Sequence, residues 1–214
     1  MFDTNHLIQA AVALAGGYLL GSIPFGVIVT RLGGAGDVRL IGSGNIGATN
    51  VLRTGRRGLA LLTLLGDAGK GALAVFAVWL FARHQPAPTP SILTALAGGA
   101  AFLGHLFPLW LGFKGGKGMA IFLGTLIAAA WPAGLLAGAT WLVVAYRFRI
   151  SSLAALAAAA LAPIYVFAFD RERPIVLLAL GMAVLIYIRH HENIRRLLKG
   201  QEPRIGGGGE VPTP

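Results

Sequence analysis

Apolar runs long enough to cross a bilayer recur from one end of the 214-residue chain to the other, and that recurrence restricts the fold more than any other feature. A helix rises about 1.5 Å per residue, so about 20 apolar residues cover a hydrocarbon core of about 30 Å. Within hydrocarbon every backbone N–H and C=O must be paired inside the protein, and a helix does this in a single segment. The runs extend from about Leu7 to Leu32, Leu59 to Ala82, Ile92 to Leu111, Met119 to Trp131, Ala133 to Tyr146, Leu153 to Phe169 and Ile175 to Ile188. The expected fold is therefore all-α, a polytopic integral membrane helical bundle of about seven transmembrane helices. The fourth and fifth runs are short and meet at Trp131-Pro132, so five crossings plus a re-entrant pair is the alternative. Either number is odd and puts the two termini on opposite sides.

Composition agrees with this reading: 56% of the residues are hydrophobic and only 12% charged, against about 25% charged in an ordinary soluble domain. The first run lacks a basic leader and a small-residue cleavage site, which makes it a retained span rather than a signal peptide. Residues 1–205 are expected to form a single transmembrane domain, and the Gly/Pro-rich tail 206–214 to be disordered.

The net charge is +10. If the spans alternate, all of the 18 Lys and Arg residues except Lys70, Arg83, Arg171 and Arg173 fall on one face, and the positive-inside bias makes that face cytoplasmic. The N-terminus is then outside and the C-terminus cytoplasmic. Topology and anion binding account for the basic residues, so no nucleic-acid partner is expected. The chain has no cysteine, which excludes disulfides, thiolate metal sites and a cysteine nucleophile. No pattern of metal ligands stands out either, and neither a metal nor another cofactor is expected.

Four polar constellations interrupt the apolar pattern, and all of them reach the basic face. SGNIGATNVLRTGRRG, Ser43 to Gly58, follows the first span. Its glycines, Gly44 among them, let backbone N–H groups turn inward around an anion. Ser43, Asn45, Thr49 and Asn50 add directional hydrogen bonds, and Arg53 offers a bidentate charge-assisted pair to a phosphate. A cytoplasmic loop whose arginines serve topology alone has the same composition.

GHLFPLWLGFKGGKG, Gly104 to Gly118, follows the third span. Gly112, Lys114, Gly115, Gly116, Lys117 and Gly118 bring backbone donors, two ammonium groups and a helix N-terminus to one spot, a phosphate site without Walker A spacing. His105, just before the loop, reads either as a general base or as a satisfied structural residue. Asp67 and Lys70 stand at i,i+3 inside the second span, either as a neutral pair or with Lys70 contacting substrate. RHHENIRRLLKGQEPRI, Arg189 to Ile205, has the cations of an interfacial helix. Its His190, His191, Glu192 and Asn193 suit a small hydroxylated ligand better. Ser151 and Ser152 fit as caps of the sixth span.

SGNIGATNVLR, DAGKG, GHLFPLWLGFKGGKG and HHENIRRLLKGQEP, in this order and spacing over residues 1 to about 205, resemble the bacterial acyl-phosphate:glycerol-3-phosphate acyltransferase family. The resemblance implies a polytopic enzyme of the bacterial cytoplasmic (inner) membrane with its active site facing the cytoplasm. Its implied reaction transfers a fatty acyl group from acyl phosphate to glycerol 3-phosphate, giving lysophosphatidic acid and inorganic phosphate for phospholipid biosynthesis. It also implies that Ser43 and Arg53 belong to an essential first motif, that Gly112 to Gly118 bind phosphate, and that Asn193 and Glu202 belong to a third motif. His105, Lys70, Ser152 and His190 become pocket residues. Ser43, Arg53, His105 and Asn193 are the candidates nearest the chemistry. Ile121 departs from the family, which has a small polar residue, usually Thr, at that position.

Acyl phosphate is an activated mixed anhydride, so direct attack by the glycerol hydroxyl needs no acyl-enzyme. Cations would overcome the repulsion of two phosphates and hold the hydroxyl near the carbonyl. A phosphate oxygen of the substrate is preferred over His105 as proton acceptor. The expected partners are the two substrates, membrane lipids and the soluble enzyme that makes acyl phosphate. A transporter of a phosphorylated anion is the rival reading, but it would need broken helices or ionisable groups at the bilayer midplane and access from both sides.

Overall fold

The computed structural model describes residues 4–86 and 89–206; of the predicted tail, residues 207–214 lie outside the described residues. Ten α-helices and three short 3-10 turns make up the fold, with no strand among the described residues. The helices are α1 (Thr4–Gly21), α2 (Phe25–Leu32), α3 (Ala48–Val51), α4 (Arg57–Ala82), α5 (Thr89–Leu106), α6 (Met119–Ala129), α7 (Trp131–Phe148), α8 (Ser151–Phe169), α9 (Arg173–Arg189) and α10 (His191–Leu198).

Four stretches are long and apolar enough to cross a membrane: Thr4–Leu32, Arg57–Ala82, Thr89–Leu111 and Ser151–Phe169. The pair α9 and α10, bent by 62° at His190, raises the number to as many as five. The expectation of an all-helical, multi-span protein is met in this coarser form. The boundaries differ from the apolar runs in two places. The first run is broken at Ser22–Pro24, where α1 stops and α2 starts, because proline cannot donate to the preceding turn. The fourth run ends at Ala129, leaving α6 with 11 residues and a rise of only about 16 Å. The fifth starts at Trp131 and continues to Phe148, since Pro132 is compatible with a first helical turn.

Most helices are apolar on all sides, as expected where one face meets neighbours and the other meets lipid. Leu61, Leu65, Phe81, Leu142, Val143, Phe167 and Leu177 are all exposed on the outside of the bundle. Inside, Phe102, Leu106, Ile121, Phe122, Leu126 and Ile186 are fully buried in one core formed by α5, α6 and α9. Small residues let α1 and α5 touch backbone to backbone. A side chain at Gly17 or Gly21 would strike the backbone of Ala97 or Ala101, and one at Gly104 would strike Tyr18. Lipid tails are as apolar as the side chains, so such close packing, rather than the hydrophobic effect, holds membrane helices together.

A second, smaller core of Val27, Val38, Ile46, Val51 and Ala60 lies beneath the loop between α2 and α4. The loop is therefore anchored by its own apolar residues as well as by α2 and α4. Ile121 is fully buried in the main core, and its side chain occupies the space over Gly71 of α4.

Candidate active site

The first loop is organised by one amide. Asn50 is buried, and its Nδ2 donates to the carbonyls of Val38 at 3.0 Å, Ile41 at 2.8 Å and Asn45 at 2.8 Å. Its Oδ1 accepts from the Ser43 amide at 3.1 Å, the Ser43 hydroxyl at 3.3 Å and Arg53 Nη1 at 3.3 Å. Gly42 and Gly44 turn through φ of 52° and 68°, a region where a Cβ would be strained. The loop's arginines are sorted by their partners. Asp37 pairs with Arg39 at 2.6 Å and Arg31 at 2.8 Å. The hydrogen bonds from Arg39 and Arg31 outweigh its burial and hold the Asp37 carboxyl well below the usual range. Arg56 donates to the Gly33 carbonyl. Arg53 stays exposed beside Ser43 and Asn50, available to an anion.

The second loop is held from a distance. The Gly115 and Gly116 amides donate to the carbonyls of Leu106 and His105, both at 3.1 Å. Arg189 at the end of α9 donates to the carbonyls of Gly116 at 3.2 Å and Gly115 at 3.0 Å. Gly118 then turns with φ of 87° to open α6, so the unpaired first-turn amides of α6 lie next to Lys117. Lys117 Nζ donates to Asn193 Oδ1, and Asn193 Nδ2 donates to Glu202 Oε1. The Ser152 hydroxyl donates to the same Glu202 oxygen at 2.7 Å, and Arg196 Nε donates to Glu202 Oε2 at 2.7 Å. Burial raises the Glu202 carboxyl, but the bonds from Asn193, Ser152 and Arg196 outweigh it and leave it below the ordinary range. Burial pushes the Lys117 ammonium down, against the pull of Glu202. The loop, α8 and α10 are thereby joined in one charged network, and a bond of 3.2 Å between Thr49 and Ser151 connects it to the first loop.

Beneath the second loop lies a buried polar cluster. Asp67 Oδ1 is 2.9 Å from Lys70 Nζ and 3.4 Å from His105 Nδ1, and all three side chains are at most 3% exposed. Lys70 Nζ also donates to the Ile23 carbonyl at 2.7 Å, in the break between α1 and α2.

The family model for glycerol-3-phosphate acyltransferases matches residues 11–200. The chain belongs to the glycerol-3-phosphate acyltransferase family. A relative from Caulobacter vibrioides is 67% identical over 199 residues, covering 93% of this chain and 89% of its own. One from Paramagnetospirillum magneticum is 57% identical, covering 94% and 96%. Two crystal structures of PlsY (YgiH), an integral membrane glycerol 3-phosphate acyltransferase, share the fold. The glycerol 3-phosphate form has a TM-score of 0.84 at 36% identity, over 92% of this chain and 96% of its own. The lysophosphatidic acid form has a TM-score of 0.82 at 35% identity, over 92% and 95%.

In this acyltransferase Ser43, Asn50 and Arg53 form one group, while Lys117, Asn193, Glu202 and Ser152 form another. Thr49 links them through Ser151. Gly112 and Gly118 supply left-handed turns, and Lys114 is exposed at the loop's tip. Three of the predicted positions have partners within the protein. Of the two readings of Lys70, the arrangement matches the neutral pair: its ammonium is buried and bonded to Asp67 and the Ile23 carbonyl. His105 is likewise buried, with Nδ1 turned toward Asp67. The Gly115 and Gly116 amides are engaged by the chain itself. His190 is also buried, with Nδ1 2.8 Å from the Ile186 carbonyl. Arg189 and Arg196 were read only as cations of the basic face; nothing in their sequence context distinguishes a loop clamp from a topology signal.

Proposed function

We propose that this chain transfers a fatty acyl group from acyl phosphate to glycerol 3-phosphate, releasing lysophosphatidic acid (1-acyl-glycerol 3-phosphate) and inorganic phosphate. The observation that carries this reading is the convergence of Lys117, Asn193, Glu202 and Ser152 at the N-terminus of α6, linked to the Ser43–Arg53 loop. Cations and helix amides at that place suit two phosphate groups brought together. The family and the PlsY structures in glycerol 3-phosphate and lysophosphatidic acid forms support the acceptor and the product.

The glycerol hydroxyl oxygen attacks the acyl carbonyl carbon, the carbon–oxygen bond to phosphate breaks, and the proton passes to a phosphate oxygen. Lys117 and Arg53 offset the charge of the departing phosphate, and Asn193 orients Lys117 while Glu202 orients Asn193. With His105 buried, substrate assistance is the reading of the proton step. The site faces the cytoplasm of a bacterial inner membrane, where the soluble enzyme making acyl phosphate and the surrounding lipids are its partners.

The test is phosphate release by purified protein in detergent from acyl phosphate and glycerol 3-phosphate. Release dependent on both substrates supports the proposal; equal turnover with acyl-CoA as donor overturns its choice of donor. Single cysteines at Thr54, Gly200 and His84 test orientation with an impermeant thiol reagent. Labelling of His84 alone from outside is expected, and labelling of Thr54 from outside overturns the assignment.

A further inference from the structure

Asp67 has a place in the structure that charge neutralisation does not explain. A buried ion pair is often no more stabilising than well-packed apolar residues, yet here the carboxylate meets two different elements, Lys70 on its own helix and His105 on α5. The His105 ring lies directly under the second loop: a Cβ at Gly116 would collide with its Nε2 edge, and one at Gly115 with its backbone carbonyl. The Gly116 amide bonds to that carbonyl, and Arg189 holds the Gly115 and Gly116 carbonyls from the other side while lying 5.6 Å from the Phe107 ring. The next residue is Lys117. The loop carrying Lys117 therefore rests on an imidazole whose Nδ1 faces a buried carboxylate at 3.4 Å, an arrangement by which a distant acid can fix a histidine in other polar sites.

We propose that Asp67 is a positioning residue, setting through His105 the height of the Gly115–Gly116 turn and hence the reach of Lys117. Lys70 completes the device: it neutralises Asp67 and, through the Ile23 carbonyl, ties the same carboxylate to the break between α1 and α2.

The proposal rests on the acyltransferase reading, and the experiment separates the two. The double variant D67N/K70Q removes both charges together, so no unpaired ion stays buried. If Asp67 only balances Lys70, this variant keeps kcat/KM within about 3-fold of the unaltered protein; if it positions the loop, kcat/KM falls about 10- to 100-fold in protein that remains monodisperse. Adding His105→Gln should then cost less than about 2-fold more, since the two residues act in series; a full multiplication of their separate effects overturns the proposal. Should D67N/K70Q not fold, Asp67→Glu keeps the ion pair and moves the carboxylate by one methylene, with an expected loss of about 5-fold or more. Unchanged turnover in Asp67→Glu overturns the proposal. If the unaltered protein shows no acyl transfer, the functional reading fails by itself. Hydrogen exchange then decides the positioning role in D67N/K70Q, or in Asp67→Glu if only that variant folds. The amides of 112–118 should exchange about 10-fold faster while α4 stays protected, and unchanged exchange overturns it.

Discussion

The two cationic loops reach a fixed form by opposite routes. In the first, Asn50 closes the turn with bonds to residues at most twelve positions away, over its own apolar cluster. In the second, the partners are His105 and Leu106 behind it and Arg189, Asn193 and, through Asn193, Glu202 far along the chain. A locally closed loop depends on one side chain and fails as a unit. A loop clamped by several helices spreads the load and is sensitive to how those helices pack. The comparison teaches that similar Gly-rich, basic sequences can place their cations by different means, and mutations should separate the two.

Asn50→Ala should have the largest effect. It leaves the Val38, Ile41 and Asn45 carbonyls without their donor, at about 1 kcal/mol or more for each lost bond, and should lower kcat/KM about 10²- to 10³-fold. Turnover close to the unaltered protein would break the claim that this loop stands on one amide. Lys117→Ala comes next, with a loss of about 10- to 150-fold in kcat/KM through a missing charge-assisted contact. The helices should stay intact by circular dichroism, because the other clamps on the loop remain.

A third effect depends on pH. The Glu202 carboxyl lies below its ordinary range when folded, so the unfolded chain takes up its proton first as pH falls. The contribution of Glu202 is present above the ordinary carboxylate range and is lost as pH drops through the lowered folded value. Unfolding temperatures of the unaltered protein and Glu202→Gln should therefore differ near neutral pH and converge as pH falls below the ordinary carboxylate range. A constant difference would remove Glu202 from the network as an ionised group. The smallest effect is expected from Ser151→Ala. Its bond to Thr49 is exposed and 3.2 Å long, so removing it should change kcat/KM less than about 3-fold. A larger loss would mean that the two loops act as one unit rather than two.

Much of the architecture was readable before any coordinates, for reasons visible in particular segments. Thr4–Leu32, Arg57–Ala82, Thr89–Leu111 and Ser151–Phe169 announce themselves because the bilayer demands long apolar helices whatever their neighbours are. The Gly-rich basic loops were also visible, since positive-φ turns and clustered cations leave compositional traces, as Gly44, Gly112 and Gly118 show.

What tertiary structure alone decided is which polar group meets which. Spacing could pair Asp67 with Lys70, but only the packing of α5 on α4 brings His105 to the same carboxylate. A resemblance could place Asn193 and Glu202 in one motif, but only the fold of α9 and α10 against α8 and the second loop joins them to Ser152 and Lys117. It also buried Lys70 and His105, for which the sequence had left a structural and a functional reading open. Helix propensity, hydropathy and turn chemistry act over a few residues, so sequence determines them directly. The direction in which a buried charge turns is set by whichever distant backbone or side chain fills the space beside it, and that is known only once the helices have packed.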